Sequence, residues 1–565
     1  MSLKSKSNWI LPKKKVSKDI VKYILKSRGI EERTFLEGSL NDIPSFEKLY
    51  DTKRAAKEIV KCIKKGKKIV IHGDYDSDGI CSVSILWEFL FKEVSEKLNL
   101  KVDVIPYIPS RVDQGYGLTN SSINDVLELG GKLLISVDCG VRDRELINTI
   151  RKEKGLEFVI TDHHQPPKDF PKELEYPLVH PMYPSHEYPN VNICGAFVTL
   201  LLIQSIRKEL KMDFNITPDT PGLDLVALAT VTDLMPLLDI NRLIVKYGIE
   251  QIKKGKRVGL NELIKVSGLQ SQDIDSYHLG YILGPRINAV GRIGSPLDGV
   301  KLLVSDKQEV CATIADILNE TNMQRQYMTQ SGIDKAEEII GESNEKILFV
   351  VSDDWHEGIV GLIAGKLNER YHRPVLVGTR KDGVIKGSAR SIPGFNITDA
   401  LSKCEKYLER YGGHELAAGF TVKKDKEKEF SKCIHKIGEE LIDEKMLIKD
   451  IHIDLLLGSE SINRELIQQL DVLKPFGYGN SKPLLALTKL IVVKKQIMGK
   501  LGNHMKLLCK GEGIDLITLI LFDCDTDTEE IKIDDVIDVV GGADINSWNG
   551  NEDIQFKVKE WRYST

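Results

Sequence analysis

The sequence predicts an α/β protein with a parallel-sheet domain, a smaller α/β unit joined to it by a long helix, and a small C-terminal β-barrel. Three observations predict it. Short, β-branched-rich apolar runs at Ile69–Ile71, Val102–Ile105, Leu133–Val137 and Phe158–Ile160 alternate with longer helical segments such as Ile80–Lys97 and Arg144–Lys154. Continuous apolar runs are what strands buried on both faces require. Val300–Ile340 reads as helix, with no Pro and only Gly332 inside it. From about residue 450, apolar runs at Leu485–Val493, Met505–Leu508, Leu516–Phe522 and Val536–Val540 are separated by Gly, Asn and Asp. That is the spacing of a small barrel.

In chain order, residues 1–50 form a basic segment whose clearest helical periodicity is Ile20–Leu25. The parallel-sheet domain is expected over 51–300, entered through an amphipathic helix at Ala55–Lys65. A connecting helix follows over 301–340 and the second α/β unit over 341–445. In that unit Ile347–Val351 and Val375–Val377 are strand candidates, Gly361–Tyr371 a helix, and KDGVIKGSARS a hairpin. Lys423–Glu429 reads as a solvated helix start, and the barrel is expected over 446–565.

At 565 residues the chain has length for about three or four domains. With 41% hydrophobic and 29% charged residues it is too apolar to be disordered. A net charge of −4 excludes coating nucleic acid by bulk basicity but not a local basic track. The charge is uneven: residues 1–70 hold 19 Lys and Arg against 8 Asp and Glu, and the rest is acidic. Nine cysteines without a CxxC pair read as small packing residues of a reduced protein. The basic start MSLKSKSNWILPKKK lacks the apolar core of a secretory signal. The longest apolar stretch, around Cys194–Ile203, is about half a membrane span. A cytoplasmic protein without membrane attachment is expected.

Acidic and histidine residues follow the apolar segments. The first run ends in His72-Gly-Asp74-Tyr-Asp76-Ser-Asp78-Gly79, the third in Asp138-Cys-Gly140, and the fourth in Asp162-His163-His164. Asp233 closes another apolar segment. Ligands of open parallel sheets bind outside the carboxyl ends of the strands, so these groups are expected to converge at one edge. That many carboxylates share a pocket only when cations neutralise them. Carboxylate and imidazole donors suit Mn²⁺ or Mg²⁺ better than thiolate-seeking metals. Two such ions polarise a phosphoryl group and activate water for in-line attack. Asp138, alone on its strand, is expected to bridge them. Asp76 and Asp78 are expected to point to different ions, with His163 and Asp233 completing the second.

HGDYDSDG, VDCG, TDHH and the Asp233 segment resemble the four motifs of the DHH phosphoesterase superfamily, and within it most closely the RecJ family of single-strand-specific 5′→3′ DNA exonucleases. The segments 109–117, 284–292, 412–414, 475–480 and 547–550 agree with the resemblance, which runs from about residue 8 to the end. Ser77 stands where the family's first motif has Ala. The resemblance implies a catalytic cleft between a DHH and a DHHA1 domain, and an OB-like barrel. Asp74, Asp76, Asp78, Asp138, His163 and Asp233 resemble its metal set, with two Mn²⁺ or Mg²⁺ ions as cofactors. His72, Asp162 and His164 resemble catalytic neighbours that orient ligands or contact phosphate. The implied activity is hydrolysis of single-stranded DNA to mononucleotides in repair and recombination. A phosphodiesterase of oligoribonucleotides or cyclic dinucleotides is the alternative. A single-strand-binding protein and a RecQ-type helicase are implied partners, and a monomer is expected.

For substrate phosphates, Arg111, Arg286 and Arg292 are expected in Gly-rich turns, with Asn288 fixing the turn around Arg286. Ser388, Arg390, Gly412, Gly413 and His414 resemble the substrate-binding elements of DHHA1 domains, the glycines allowing positive φ and close backbone approach. Residues 472–511 contain eight lysines, including Lys494 and Lys495, and no Asp or Glu. With Phe476, Tyr478 and Trp548 as stacking faces, this is the chemistry by which OB-type barrels hold single strands.

Overall fold

Ile69–Gly73 (β1), Val104–Tyr107 (β2), Leu133–Val137 (β3), Glu157–Thr161 (β4) and Leu178–Val179 (β5) pair in parallel in the order β2-β1-β3-β4-β5. Their continuous apolar runs have a simple cause. Ile69, Ile71, Leu133 and Ile135 pack into one core. Val70, Leu134, Phe158 and Ile160 pack into another, with Ile123, Val126, Ile147 and Ile150. Both sheet faces are therefore covered. The first core takes in Ser77–Glu88 (α1), Gly195–Glu209 (α2) and Leu223–Thr232 (α3). The apolar stretch around 194–203 is thus a buried helix. Among the described residues, no helix is long and apolar enough to cross a membrane.

This computed structural model describes residues 7–13, 18–110, 114–167, 169–183, 188–458, 461–499, 502–511, 516–522, 524, 528, 530–548 and 551–564. These described residues divide into two units: those within Ser39–Leu447 and Gly477–Gly479, and those within Lys6–Gly38, Ile448–Phe476 and Asn480–Thr565.

The first unit continues through Gly284–Ile293 (α4) to the long helix Gln308–Ile340 (α5). The helix anticipated from 301 is broken after Val304, because Ser305 Oγ accepts the Lys307 amide and turns the chain before α5. A second sheet follows, built from Leu348–Ser352 (β6), Val375–Lys381 (β7), Val384–Arg390 (β8), Leu408–Gly413 (β9) and Ala417–Lys423 (β10) in the order β9-β10-β8-β7-β6. The β7–β8 hairpin turns on Asp382 and Gly383, at φ 53° and 78°, the positive values a two-residue Asp-Gly turn requires. Val360–Tyr371 (α6) packs on this sheet. Cys404 and Cys433 form a disulfide here, which corrects the expectation that all thiols are free.

The second unit closes a five-stranded barrel from Leu485–Met498 (β11), His504–Lys510 (β12), Leu516–Leu521 (β13), Val536–Trp548 (β14) and Asn551–Tyr563 (β15). The pairings run β11-β12-β13-β15-β14 and back to β11. Residues near the N-terminus build into this unit. Asn8–Ile10 pairs in parallel with Asp450–His452, and Arg28 forks onto Asp454 at 2.9 and 3.0 Å.

Candidate metal centre

Register sets the site. Gly73 and Val137 are paired, so the chain leaves β1 and β3 at the same level, delivering Asp74 and Asp138 side by side. Asp76 caps α1, Oδ1 accepting the amides of Asp78 (2.9 Å) and Gly79 (3.1 Å). A Cβ on Gly79 would lie 2.3 Å from the Asp74 carbonyl oxygen, so the loop tolerates only glycine there. Asp78 is buried in the first turn of α1. Its carboxylate accepts the amides of Gly195 (2.6 Å) and Ala196 (2.7 Å) at the start of α2, where the helix dipole favours negative charge. Asp138 has φ 62°, a left-handed conformation that Asp adopts more readily than most residues. Gly195 makes room for it: a Cβ would sit 2.7 Å from the Asp138 side chain.

Asp233 does not end a strand, as the spacing had suggested. It caps the C-terminus of α3, whose apolar run is helical. The negative end of that helix adds to the demand for a cation.

These segments meet around His163. Its Nε2 lies 3.1 Å from Asp138 Oδ1, 3.5 Å from Asp233 Oδ2 and 3.6 Å from Asp78 Oδ2. Asp138 Oδ1, His163 Nε2 and Asp233 Oδ2 are buried without hydrogen-bond partners. Three sets of donor atoms could each hold a cation: Asp74, Asp76 and Asp138; Asp78, His163 and Asp233; and Asp138, His163 and His164. Asp138 belongs to two of them.

The electrostatics fit cations better than protons. Burial, then the Asp76 charge, raises Asp78 to about 7. Burial followed by the other carboxylates pushes Asp138 and Asp233 well up. Burial and the charge of His164 lower His163 to about 3, so its imidazole is neutral with a lone pair to offer. Thiols contribute nothing: Cys81, Cys139 and Cys194 are fully buried and their proton affinity is pushed well up by that burial.

Asp162 organises the histidines. Its Oδ1 meets His164 Nδ1 at 2.8 Å and accepts the amides of His163 (2.7 Å) and His164 (3.0 Å), and Oδ2 accepts Val141 N (2.9 Å). Burial opposes the Asp162 charge, yet the hydrogen bond and charge of His164 hold it below the usual carboxylate range. Burial likewise opposes the charge on His164, and the Asp162 hydrogen bond and charge outweigh it, raising His164 to about 9. His72 is not brought to the donor sets. It is fully buried within β1, with Nδ1 3.6 Å from Cys139 Sγ, and burial lowers it to about 4. Sequence reasoning missed Tyr116, whose hydroxyl lies 3.0 Å from His164 Nδ1. Gly115 and Gly117, at φ 79° and 82°, are the signal that could have found it.

Segment 284–292 is not a turn: Arg286, Asn288 and Arg292 lie on α4. Pro285 follows directly on the π-helical turn Leu279–Leu283, where the regular α-helical pairing is already interrupted, so the helical run continues through a residue that has no N–H. Gly291 allows a close approach, since a Cβ would be 2.0 Å from the Tyr75 carbonyl oxygen. Asn288 Oδ1 accepts the Ser77 amide at 2.7 Å, and Arg292 donates to the Gly358 carbonyl at 3.2 Å. Arg286 lies about 200° around the helix from Asn288. It donates to Asn319 Oδ1 (3.0 Å) and the Ile282 carbonyl (2.7 Å), away from the acidic loops. Arg111 lies outside the described residues.

On β8, Arg390 donates to Ser388 Oγ at 2.8 Å. A Cβ on Gly361 would be 3.2 Å from Ser388 Oγ and 3.3 Å from Arg390 Nη2, so both side chains sit against the first turn of α6, an anion-favouring position. Of the two glycines ending β9, only Gly413 (φ 155°) has positive φ, which corrects the expectation for Gly412. His414 is exposed beyond the strand, its amide donating to Ala417 O at 2.8 Å. In the barrel unit Lys494 is exposed beside a bulge of β11, whereas Lys495 Nζ donates to Ile531 O at 2.8 Å. Phe476 is half-buried. Tyr478 is 65% exposed but belongs to the first unit, its carbonyl accepting the Leu237 amide at 2.7 Å. The side chain of Trp548 lies outside the described residues.

The parallel sheet with acidic loops at its carboxyl edge is that of a DHH family protein. The DHH family N-terminal domain matches residues 68–230, the DHHA1 domain residues 344–440 and the RecJ OB domain residues 453–560. The chain is 34% identical over 549 residues to the single-stranded-DNA-specific exonuclease RecJ of Bacillus subtilis, covering 96% of this chain and 67% of that protein. It is 28% identical to the RecJ of Escherichia coli, over 95% of each chain. The chain belongs to the RecJ family. Its fold superposes on the crystal structure of Thermus thermophilus RecJ in complex with Mn²⁺ with a TM-score of 0.81 at 25% identity, covering 97% of this chain and 76% of that one. A structure of exonuclease RecJ bound to manganese is similar at a TM-score of 0.60 and 28% identity, over 70% of this chain and 96% of that one.

Proposed function

We propose that this protein is a metal-dependent exonuclease that hydrolyses single-stranded DNA from its 5′ end. The observation that carries the reading is the convergence of Asp138 Oδ1, His163 Nε2 and Asp233 Oδ2, buried and unpartnered, in a cluster of carboxylates. Asp74, Asp76 and Asp138 would hold one divalent cation, Mn²⁺ or Mg²⁺, and Asp78, His163 and Asp233 a second, with Asp138 between them. Cations held by these residues would supply Lewis-acid polarisation of a phosphodiester and a lowered pKa for the attacking water.

The chain's own groups do the rest. Asp162 holds His164 charged, which places a proton donor and a positive charge beside the carboxylates. The Tyr116 hydroxyl meets the same ring nitrogen, Nδ1, that Asp162 holds. Arg390 and Ser388, at the N-terminal turn of α6, hold phosphate, and Gly413 and His414 approach the strand end. Arg292 ties α4 to Gly358 and so sets the distance between the acidic loops and this phosphate site.

The test is digestion of 5′- and 3′-labelled single-stranded and duplex DNA with Mn²⁺. Release of 5′ label as mononucleotide from the single strand alone is expected. Preference for a dinucleotide, or release from 3′ ends, overturns the reading.

A further inference from the structure

A second face of the first unit carries chemistry that the metal centre does not use. Residues 276–293 form one helical run packed against α5. On that run Tyr277 and Tyr281 stack one turn apart, ring centroids 4.9 Å and planes 24°, although they are 58% and 72% exposed. On α5, Met323 and Tyr327 are also one turn apart and are 59% and 77% exposed. Single exposed aromatics are ordinary, but a concentration on two packed helices marks an interaction surface.

Arg286 joins the helices. Its guanidinium lies between the Ile282 carbonyl, next to Tyr281, and Asn319, whose amide contacts Met323 Sδ at 3.9 Å. Arg325 stands near enough that the Arg286 charge, after burial, lowers its proton affinity. Arg325 Nε is buried with no hydrogen-bond partner. Among the described residues neither guanidinium meets a carboxylate. Two half-buried cations brought together without a counter-ion leave a place for an anion. Beside exposed stacking rings, the ligand that satisfies both features is a polyanion with flat apolar faces, which is an unpaired nucleic acid strand. A duplex hides its base faces, and an acidic peptide leaves the rings uncovered.

We propose that this face is a second contact for single-stranded DNA, with bases on Tyr277 and Tyr281 and a phosphate on Arg286 and Arg325. It rests on the exonuclease reading given above. Because Arg286 faces away from Asn288 and the acidic loops, the strand reaches this face only after crossing α4. A strand of a few nucleotides seated at the metal centre does not touch it.

The experiment uses the full chain without divalent metal, so that nothing is cut. Affinities are measured by fluorescence anisotropy for single strands of about four and about forty nucleotides. In Y277A/Y281A the advantage of the long strand should shrink at least tenfold, and in Y277F/Y281F, which keeps the rings, it should persist. R325Q should reduce the slope of log affinity against log salt by about one for the long strand. Thermal unfolding checks that each variant folds. An unchanged long-strand advantage, or equal losses for both strands, overturns the proposal and leaves the face to a protein partner. Cleavage of the long strand by the wild-type chain with Mn²⁺ is read separately: a chain that binds at this face but does not cut fails the exonuclease reading alone.

Discussion

Asn288 Oδ1 accepts the backbone amide of Ser77 at 2.7 Å, joining residues 211 positions apart. Ser77 opens α1, and its amide is among the donors that a helix leaves unpaired. Asp76 caps the next two amides, so Asn288 completes the set and fixes the loop of Asp74, Asp76 and Asp78. Asn288→Ala leaves a donor without its partner, at a cost of about 1–3 kcal/mol. Metal affinity should fall with it. Thermal unfolding and Mn²⁺ titration of the same variant check both, and wild-type values in both would remove Asn288 from the positioning of the loop.

Asp162 Oδ1 and the Tyr116 hydroxyl converge on one ring atom, Nδ1 of His164, at 2.8 and 3.0 Å. Asp162→Asn should lower metal affinity or turnover about 10–100-fold, the usual effect of removing a group that orients a ligand. Tyr116→Phe removes one hydrogen bond and should cost less. The pH profile separates this from a packing defect. With Asp162 gone, the group that titrates at about 9 should move toward the ordinary histidine value. A profile unchanged in Asp162→Asn would contradict the pairing.

Gly291 sets how close α4 comes to the acidic loop. A methyl group there would stand 2.0 Å from the Tyr75 carbonyl oxygen, which belongs to backbone that cannot rotate away. Gly291→Ala should destabilise by about 1–3 kcal/mol through overpacking, and should displace the Asp76 cap. Alanine favours helix over glycine, so propensity alone predicts the opposite sign. A raised melting temperature with full activity would show that α4 can shift at no cost.

Most of the site was legible because β strands expose their chemistry simply. A buried parallel strand must be apolar throughout, so the first polar residue after it marks the carboxyl edge, and Asp74, Asp138 and Asp162 were found that way. Asp233 was harder, since α3 is apolar on every side and reads like a buried strand. The segment 284–292 misled for the opposite reason. Pro285, Gly284 and Gly291 look like turn residues, yet the proline follows a π-helical turn that already interrupts the regular pairing, and the glycines answer to close neighbours. Tyr116 was marked only by its flanking glycines, because its role depends on where His164 lies, and the local pattern does not encode that. The assignment of residues 7–38 to the barrel unit rests on pairings such as Asn8–Asp450, and a basic run carries no trace of its partner.

The carboxylate cluster makes the metal-free protein sensitive to pH, and the sign follows from the direction of its shifts. Asp78 titrates at about 7 in the folded chain against 3.8 ordinarily, and Asp138 and Asp233 are also raised. Between the two values the folded chain holds more protons than the unfolded one, so stability falls as pH rises through that window. His164, raised from 6.5 to about 9, extends the fall upward, because its stabilising charge is complete below 6.5 and lost as pH approaches 9. Asp162 is lowered, so its contribution persists throughout and is lost only in strong acid. His72 and His163 are lowered, to about 4 and about 3, and oppose the fall below 6.5, so without metal the melting temperature should decline by several degrees between about pH 6.5 and about pH 8. Asp138→Asn removes one raised carboxyl and relieves its neighbours, so the variant should be more stable than wild type near neutrality and flatter across the window. Saturating Mn²⁺ should reverse the order, stabilising the wild type far more, because cations replace the protons that the cluster otherwise demands. Melting curves in chelator and in Mn²⁺ across that range decide it. A metal-free melting temperature that rises with pH, or an Asp138→Asn protein that gains as much from Mn²⁺ as the wild type, would show that these carboxylates are not the cation site.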